Sequence, residues 1–490
     1  MASSSRAWQA ATLIFLTVIG VRLYVVFTGP GTVDTLAVDD ALITYRYAEN
    51  IGDGRGFVYN PGERVLGTTT PLYTILLAFF ASLGASLPLV SLILGLLASG
   101  LTGATLYFYA RSLKLGALAA GPGLLYAIWP NAILADISGL EVPLFTAGVS
   151  LFFYFVLRGR YRDAALSCGI LALIRPEGAL LVLLLFLFKY MIKERKFLLE
   201  AAIVAALTLP WALFAWGYFG SPIPNSIAAK LALYSGFDTG SLLERLYRLL
   251  SLQSLLGWLV FLGWLWGLAY LMMRHYWGWL ETLYMSVTLF ALSASGANLF
   301  FWYKAPLAPL YTLFIGAGVA GALRLALDIV HKRRYIWSLV VLVILAAIPT
   351  FGAQVERTRR VSTEQAEIYR GQHQRAGRYL TENAESEDIV VAEDIGYLGY
   401  EYRGRIIDRD GLVSPEAIPF NRALGYSDFL KQQLAQNPGH WLLVTGSSPT
   451  SSELISSGVL QSRYVLIEDF ALRGSQDYLL YRALRKAPAP

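Results

Sequence analysis

The chain has 490 residues, 56% of them hydrophobic and only 15% charged, with a mean hydropathy of +0.50. That balance excludes a water-soluble protein of this size and predicts a polytopic α-helical membrane protein. One cysteine, Cys168, and four scattered histidines exclude a disulfide framework and a Cys/His zinc site. The net charge is +6 and its basic excess lies in short segments between apolar runs; no nucleic-acid partner is expected.

In chain order, the N-terminus has one early basic residue and roughly 20 apolar positions, with no small-residue cleavage site at their end, so it reads as an uncleaved first helix over 8–28. Further helices are expected near 88–110, 115–130, 140–157, 163–174, 176–190, 197–219, 253–273, 279–296, 305–323 and 335–352. Together they make about eleven spans. The two runs flanking Arg175 are short and could instead form one long helix. The apolar segment 71–86 is assigned to a partial or re-entrant helix, because a separate crossing would put Arg111 and Lys114 on the outer side.

Basic clusters at Arg111/Lys114, 158–162, 189–196, Arg274/His275 and 331–334 alternate with polar loops at 29–70, 131–139, 175–177, 220–252 and 297–304. If the basic clusters face the cytoplasm, every unusual polar motif falls on the outer side.

From residue 353 onward the apolar runs stop. The final 138 residues carry 16 Lys+Arg against 18 Asp+Glu, which leaves 24 against 16 in the preceding part. We therefore divide the chain into a membrane part, 1–352, with its first external loop at 29–70, and a soluble α/β domain, 353–490. In the latter, an amphipathic stretch near 356–382 precedes the strand-like runs DIVVAED, RIIDRDG, WLLVTG, YVLIEDF and DYLLYRAL. The segment GYLGYEYRG does not have the spacing of a phosphate-binding glycine loop.

The candidate chemistry lies outside the apolar runs. Asp39 and Asp40 open a predicted helix over 39–50 that would lie along the outer membrane surface, with Asp39, Ile43 and Arg46 on one side and Asp40, Thr44 and Tyr47 on another. A helix start needs only one aspartate as its cap, so the second is available for general-base work. Arg175, between two hydrophobic runs, is costly unless it meets an anion, a water-filled cavity or a partner such as Glu177. Lys304 and Lys230 could join it around a phosphate, or reach toward lipid headgroups. Glu141 opens an apolar run and would favour a helix N-terminus. Trp129, Trp302, Tyr303 and Tyr73 read as interfacial aromatics, and Arg22 as an anchor at the outer end of the first helix.

The segment DDALITYRYAENIGDGRGFVYNPGERVLGTTTPLY, followed by SGLE, IRPEG, YFGSPIPNSIAAK and FWYKAPLAPL, resembles the GT-C superfamily of integral-membrane glycosyltransferases. Within it, the chain is most like the terminal arabinofuranosyltransferases of mycobacterial type and their bacterial relatives. The resemblance runs through most of 8–352, although GTTTP at 67–71 lacks the aromatic that the family pattern places after the glycine.

The resemblance implies a sugar, arabinofuranose favoured, carried on a polyprenyl phosphate. It also implies a glycan, lipid or surface-protein acceptor, a multi-pass bacterial plasma-membrane location, and a site and C-terminal domain on the extracytoplasmic side. Asp39 or Asp40 is the implied base. Arg175, then Lys304 and Lys230, are the implied donor-phosphate contacts, with Arg46, Tyr47, Glu141, Glu177 and Tyr303 lining the substrate.

Transfer with inversion in a single displacement is the expected mechanism. The second aspartate would orient the acceptor or hold a divalent cation, and no metal is assigned. A transporter or lipid flippase uses similar intramembrane charges, but the chain lacks repeated halves. A catalytically silent envelope scaffold is the third possibility.

Overall fold

A computed structural model of the chain describes residues 2–29, 33–194, 196–234, 240–250, 255–274, 278–295, 300–329, 352–423, 425–437, 440–445, 454, 456, 458–471 and 478–484. They form two compact units, each built from three stretches of chain. One comprises Met1–Gly29, Ser91–Pro210 and Thr239–Ser362; the other comprises Pro30–Val90, Trp211–Asp238 and Thr363–Pro490.

The first unit is helical. Among the described residues four helices are long and apolar enough to cross a membrane: Ser5–Thr28, Leu87–Ser112, Leu198–Phe219 and Phe301–Ala326. The helix expected over 115–130 is present as Gly116–Ala127, but the expected loop 131–139 opens with a second helix, Pro130–Asp136, which meets the first at a bend of 61°. Proline supplies the reason: Trp129 is extended (φ −74°, ψ 117°), as a residue before proline prefers, and Pro130 starts the next helix.

The same rule resolves the segment around Arg175. Helices Tyr161–Ile174 and Gly178–Met191 are separate, with Arg175 extended (φ −149°, ψ 145°) ahead of Pro176, and they pack against each other. Leu198–Phe219 leaves much of its apolar surface uncovered, including Leu209 and Leu213, as a lipid-facing helix would. The predicted helix 335–352, the basic cluster 331–334 and His275 lie outside the described residues.

The second unit centres on helix Asp39–Gly52, which matches the predicted 39–50 and is packed by helix Pro71–Ser82. All five expected strands are present: β1 (Ile389–Ala392), β2 (Arg405–Asp408), β3 (Trp441–Thr445), β4 (Tyr464–Asp469) and β5 (Tyr478–Ala483). They form one sheet in the order β2-β1-β3-β5-β4. Strands β1, β2 and β3 run parallel, while β5 is antiparallel to both β3 and β4. The parallel centre is covered on both faces, which explains why IVVA and WLLVT are continuous rather than alternating apolar runs.

One of those faces shares its core with the first loop. Ile43, Tyr47, Phe57 and Tyr59 pack with Val390, Leu398 and Ile406. The expected amphipathic stretch near 356–382 is a helix over 352–383, interrupted by a π turn at Tyr369–Gln374.

Candidate active site

In the second unit the two adjacent aspartates are treated differently. The N-cap position of their helix is Val38, whose side chain makes no capping bond, so neither aspartate caps its own helix. Asp39 instead caps another one. Its carboxylate accepts hydrogen bonds from the backbone N–H groups of Gly396 and Tyr397, both at 2.8 Å, at the start of helix Gly396–Glu401. His373 Nδ1 lies 3.8 Å from Asp39 Oδ1. Asp40 keeps 41% of its side chain exposed and faces Lys230, 35% exposed, at 3.6 Å. Lys230, expected at the donor phosphate, thus reaches from helix Asn225–Tyr234 to the Asp40 carboxylate.

Behind Asp39 lies a group of titratable side chains. Burial opposes the charged form of His373, but the carboxylates of Asp39 and Asp394 outweigh it and hold the imidazole above its ordinary value. Burial, reinforced by Asp39 and Asp410 and opposed by His373 and Arg409, pushes Asp394 up to about 6. Tyr369 and Tyr478 also pack on the His373 ring.

Both shifts have the same linkage sign. A raised carboxylate makes the fold bind protons more tightly than the unfolded chain, so the stability it gives is lost as pH rises from about 4 through 6. The contribution of His373 is fully present below about 6.5 and is lost as pH rises through its higher folded value. We expect thermal unfolding roughly a few degrees later at pH 5.5 than at pH 8. In His373→Gln the fall above pH 6.5 should be flatter. An unfolding midpoint that rises from pH 5.5 to 8 would contradict this assignment.

Arg46 and Tyr47, expected to contact substrate, are enclosed. The Arg46 guanidinium donates to the carbonyls of Tyr59 (2.9 Å), Gly399 (3.1 Å), Tyr402 (3.1 Å) and Gly404 (2.7 Å) and to Asn60 Oδ1 (3.3 Å), and it stacks over the Tyr59 ring. Tyr47 donates to Val65 O at 2.6 Å and accepts from Gly67 N at 2.9 Å. Both residues are occupied in fixing the loop that follows the acidic helix. Tyr73 is likewise buried rather than interfacial.

In the first unit Arg175 is matched by carboxylates. It donates to Glu141 Oε1 at 2.5 Å and to both oxygens of Glu177, at 2.9 and 3.3 Å. The ring of Tyr303 lies 5.9 Å from its guanidinium carbon. Glu141 is buried and Glu177 is 43% exposed on its side chain, so the two residues expected at substrate are first of all partners of the arginine. Lys304, next to Tyr303, is half-buried and has no hydrogen bond or ion pair among the described residues. Trp302 is buried, not part of an aromatic belt.

Arg22 also departs from expectation. It is fully buried, ion-paired with Asp136 at 2.9 Å, and donates to the carbonyls of Tyr126 and Ala127 at the break in the bent helix pair. In sequence, Asp136 lies in the polar loop 131–139 with no role assigned to it. The available signal was a lone acid between apolar runs, matched by a lone arginine in the first helix. Among the described residues no group of three or more His, Cys, Asp or Glu is placed to hold a metal ion.

Two crystal structures of ArnT from Cupriavidus metallidurans, one bound to undecaprenyl phosphate and one in the apo state, superpose on this chain with TM-scores of 0.62 and 0.63. Coverage is 98% and 99% of this chain and 98% and 100% of ArnT, at 14% identity. The chain has the GT-C fold. With its apolar helices, the chain is a multi-pass membrane protein.

In sequence, it is 31% identical over 228 residues to the terminal β-(1→2)-arabinofuranosyltransferase of Mycobacterium tuberculosis. That match spans 41% of this chain and only 36% of the relative's length. Residues 365–481 match a family model described as a domain of unknown function, DUF8728. The matched residues include His373, the Asp39-capping residues Gly396 and Tyr397, strands β1 to β4 and most of β5.

Proposed function

We propose that the protein is a polyprenyl-phosphate-dependent glycosyltransferase acting on an extracytoplasmic acceptor, with Asp40 as general base. The carrying observation is the division between the aspartates: Asp39 is fully engaged by backbone donors, whereas Asp40 keeps an accessible carboxylate beside Lys230. The likeness to ArnT bound to undecaprenyl phosphate supports a lipid-phosphate donor. The partial match to an arabinofuranosyltransferase favours arabinofuranose as the sugar.

In the proposed step, Asp40 takes the proton from an acceptor hydroxyl while that oxygen forms a bond to the anomeric carbon. The carbon–oxygen bond to phosphate breaks, its electron pair leaves with polyprenyl phosphate, and the anomeric configuration inverts. Lys304 is the first candidate for stabilising the departing charge. Arg175 already faces two carboxylates, whereas Lys304 has none among the described residues. A single fixed donor in a water-poor site contributes about 3 kcal/mol to such a step.

The test is transfer by purified protein from a panel of synthetic polyprenyl-phosphate sugars. Lys304→Ala should lower kcat/KM for the donor by about 100-fold, with a smaller loss in Lys304→Arg. Wild-type protein inactive with every donor would remove the proposal. Full activity in Lys304→Ala would return the phosphate to Arg175.

A further inference from the structure

Helix Gly396–Glu401 lies against helix Asp39–Gly52, and its glycines explain why GYLGYEYRG reads as it does. A Cβ on Gly396 would fall on the Asp39 carbonyl, and one on Gly399 would fall on the Tyr59 hydroxyl. The close approach lets Gly396 N and Tyr397 N reach the Asp39 carboxylate. Two further bonds close the same joint. Tyr397 OH donates to Ala37 O at 2.8 Å, and Tyr59 OH donates to Ile395 O at 2.6 Å. Tyr369 stacks on Tyr397 with ring centres 5.0 Å apart, and His373 stands behind Asp39.

Resting on the transferase reading above, we infer that the 365–481 domain is a positioning element for the catalytic helix. It grips Asp39 through Gly396, Tyr397 and His373, and so fixes the direction in which Asp40 meets the acceptor. Asp39 is then a positioning residue and not the base. The physical basis is that the aspartates are consecutive in a helix. Anchoring one side chain and its carbonyl to a second element fixes the rotation of the helix about its own axis, and with it the vector of the next side chain. General-base catalysis is sensitive to such geometry, and a displacement of about 1 Å can cost on the order of 100-fold in rate.

The domain's grip is tested with full-length Gly396→Ala, His373→Gln and Asp39→Asn, each read by steady-state transfer, by its pH profile and by amide exchange across 39–50. Gly396→Ala should lower kcat by about 10- to 100-fold, leave the donor KM within about twofold of wild type, and keep the acid limb of the pH profile in place. The exchange of 39–50 should rise.

His373→Gln should move kcat in the same direction by less, and Asp39→Asn should keep a measurable acid limb. Wild-type exchange and turnover in Gly396→Ala would overturn the inference, as would loss of the acid limb in Asp39→Asn. If the wild-type protein transferred no sugar, the transferase reading would fall. The grip itself would then be decided by exchange alone, with unchanged protection in Gly396→Ala counting against it.

Discussion

Asp40→Asn should lower sugar transfer by about 10³-fold at pH 7 while leaving thermal unfolding within a degree or so of wild type. The small stability effect follows from exposure. The carboxylate is 41% exposed, and its lysine partner, 35% exposed, is 3.6 Å away, so the pair contributes little to folding in water. The large activity effect follows from chemistry, since an amide of the same shape cannot accept the acceptor's proton.

Asp39→Asn is the informative contrast. Its carboxylate binds two backbone donors, and an amide oxygen can keep one of those bonds, so a partial loss of both rate and stability is expected. Equal and complete loss in the two variants would show that the pair acts as one unit. Complete loss confined to Asp39→Asn would make it the base. The acid limb of the pH–rate profile, present in wild type and absent in Asp40→Asn, identifies the titrating group directly.

The parts of this molecule legible in sequence are those governed by local pattern. Five short apolar runs, four of them with β-branched residues, became the five strands, and an aspartate pair before ALITYRYAEN became a helix start at Asp39. Proline rules explain the break at Arg175-Pro176, although apolarity alone left one long helix possible there, and they explain the bend at Trp129-Pro130.

What sequence could not distinguish was the partner of each polar group. Arg46 and Tyr47 share the helix of the acidic pair, so helical spacing made them appear equally available to substrate. Their burial depends on carbonyls more than 300 residues away in the case of Arg46 and on the 65–67 turn in the case of Tyr47. Arg22 is similar: an arginine near a helix end reads as an anchor until Asp136, 114 residues away, is found beside it. Long-range pairing of single charges leaves no periodic trace in a chain.

The same distinction predicts the largest stability effect, at Arg46. In Arg46→Ala the carbonyls of Gly399, Tyr402 and Gly404 lose their side-chain donor together, while Tyr59 O keeps Asn50 Nδ2 and Asn60 Oδ1 keeps the Ile406 N–H. The side chain is only 1% exposed, so water does not replace those bonds without opening the core. An unsatisfied buried acceptor costs on the order of 1 kcal/mol or more, and the lost packing on Tyr59 adds a cavity. About 4 kcal/mol of destabilisation is therefore expected, at the upper end for one substitution.

Arg46→Lys should recover only a minor part, because an ammonium has three donors and no planar fork with which to reach acceptors spread around it. The measurement is denaturant unfolding followed by exchange within 39–52 and 389–408. The two segments should lose protection together in Arg46→Ala, since the bonds of one side chain join them. If only 389–408 loosened while 39–52 stayed protected, Arg46 would stabilise the sheet side alone, and the acidic helix would owe its placement to the packing of Pro71–Ser82.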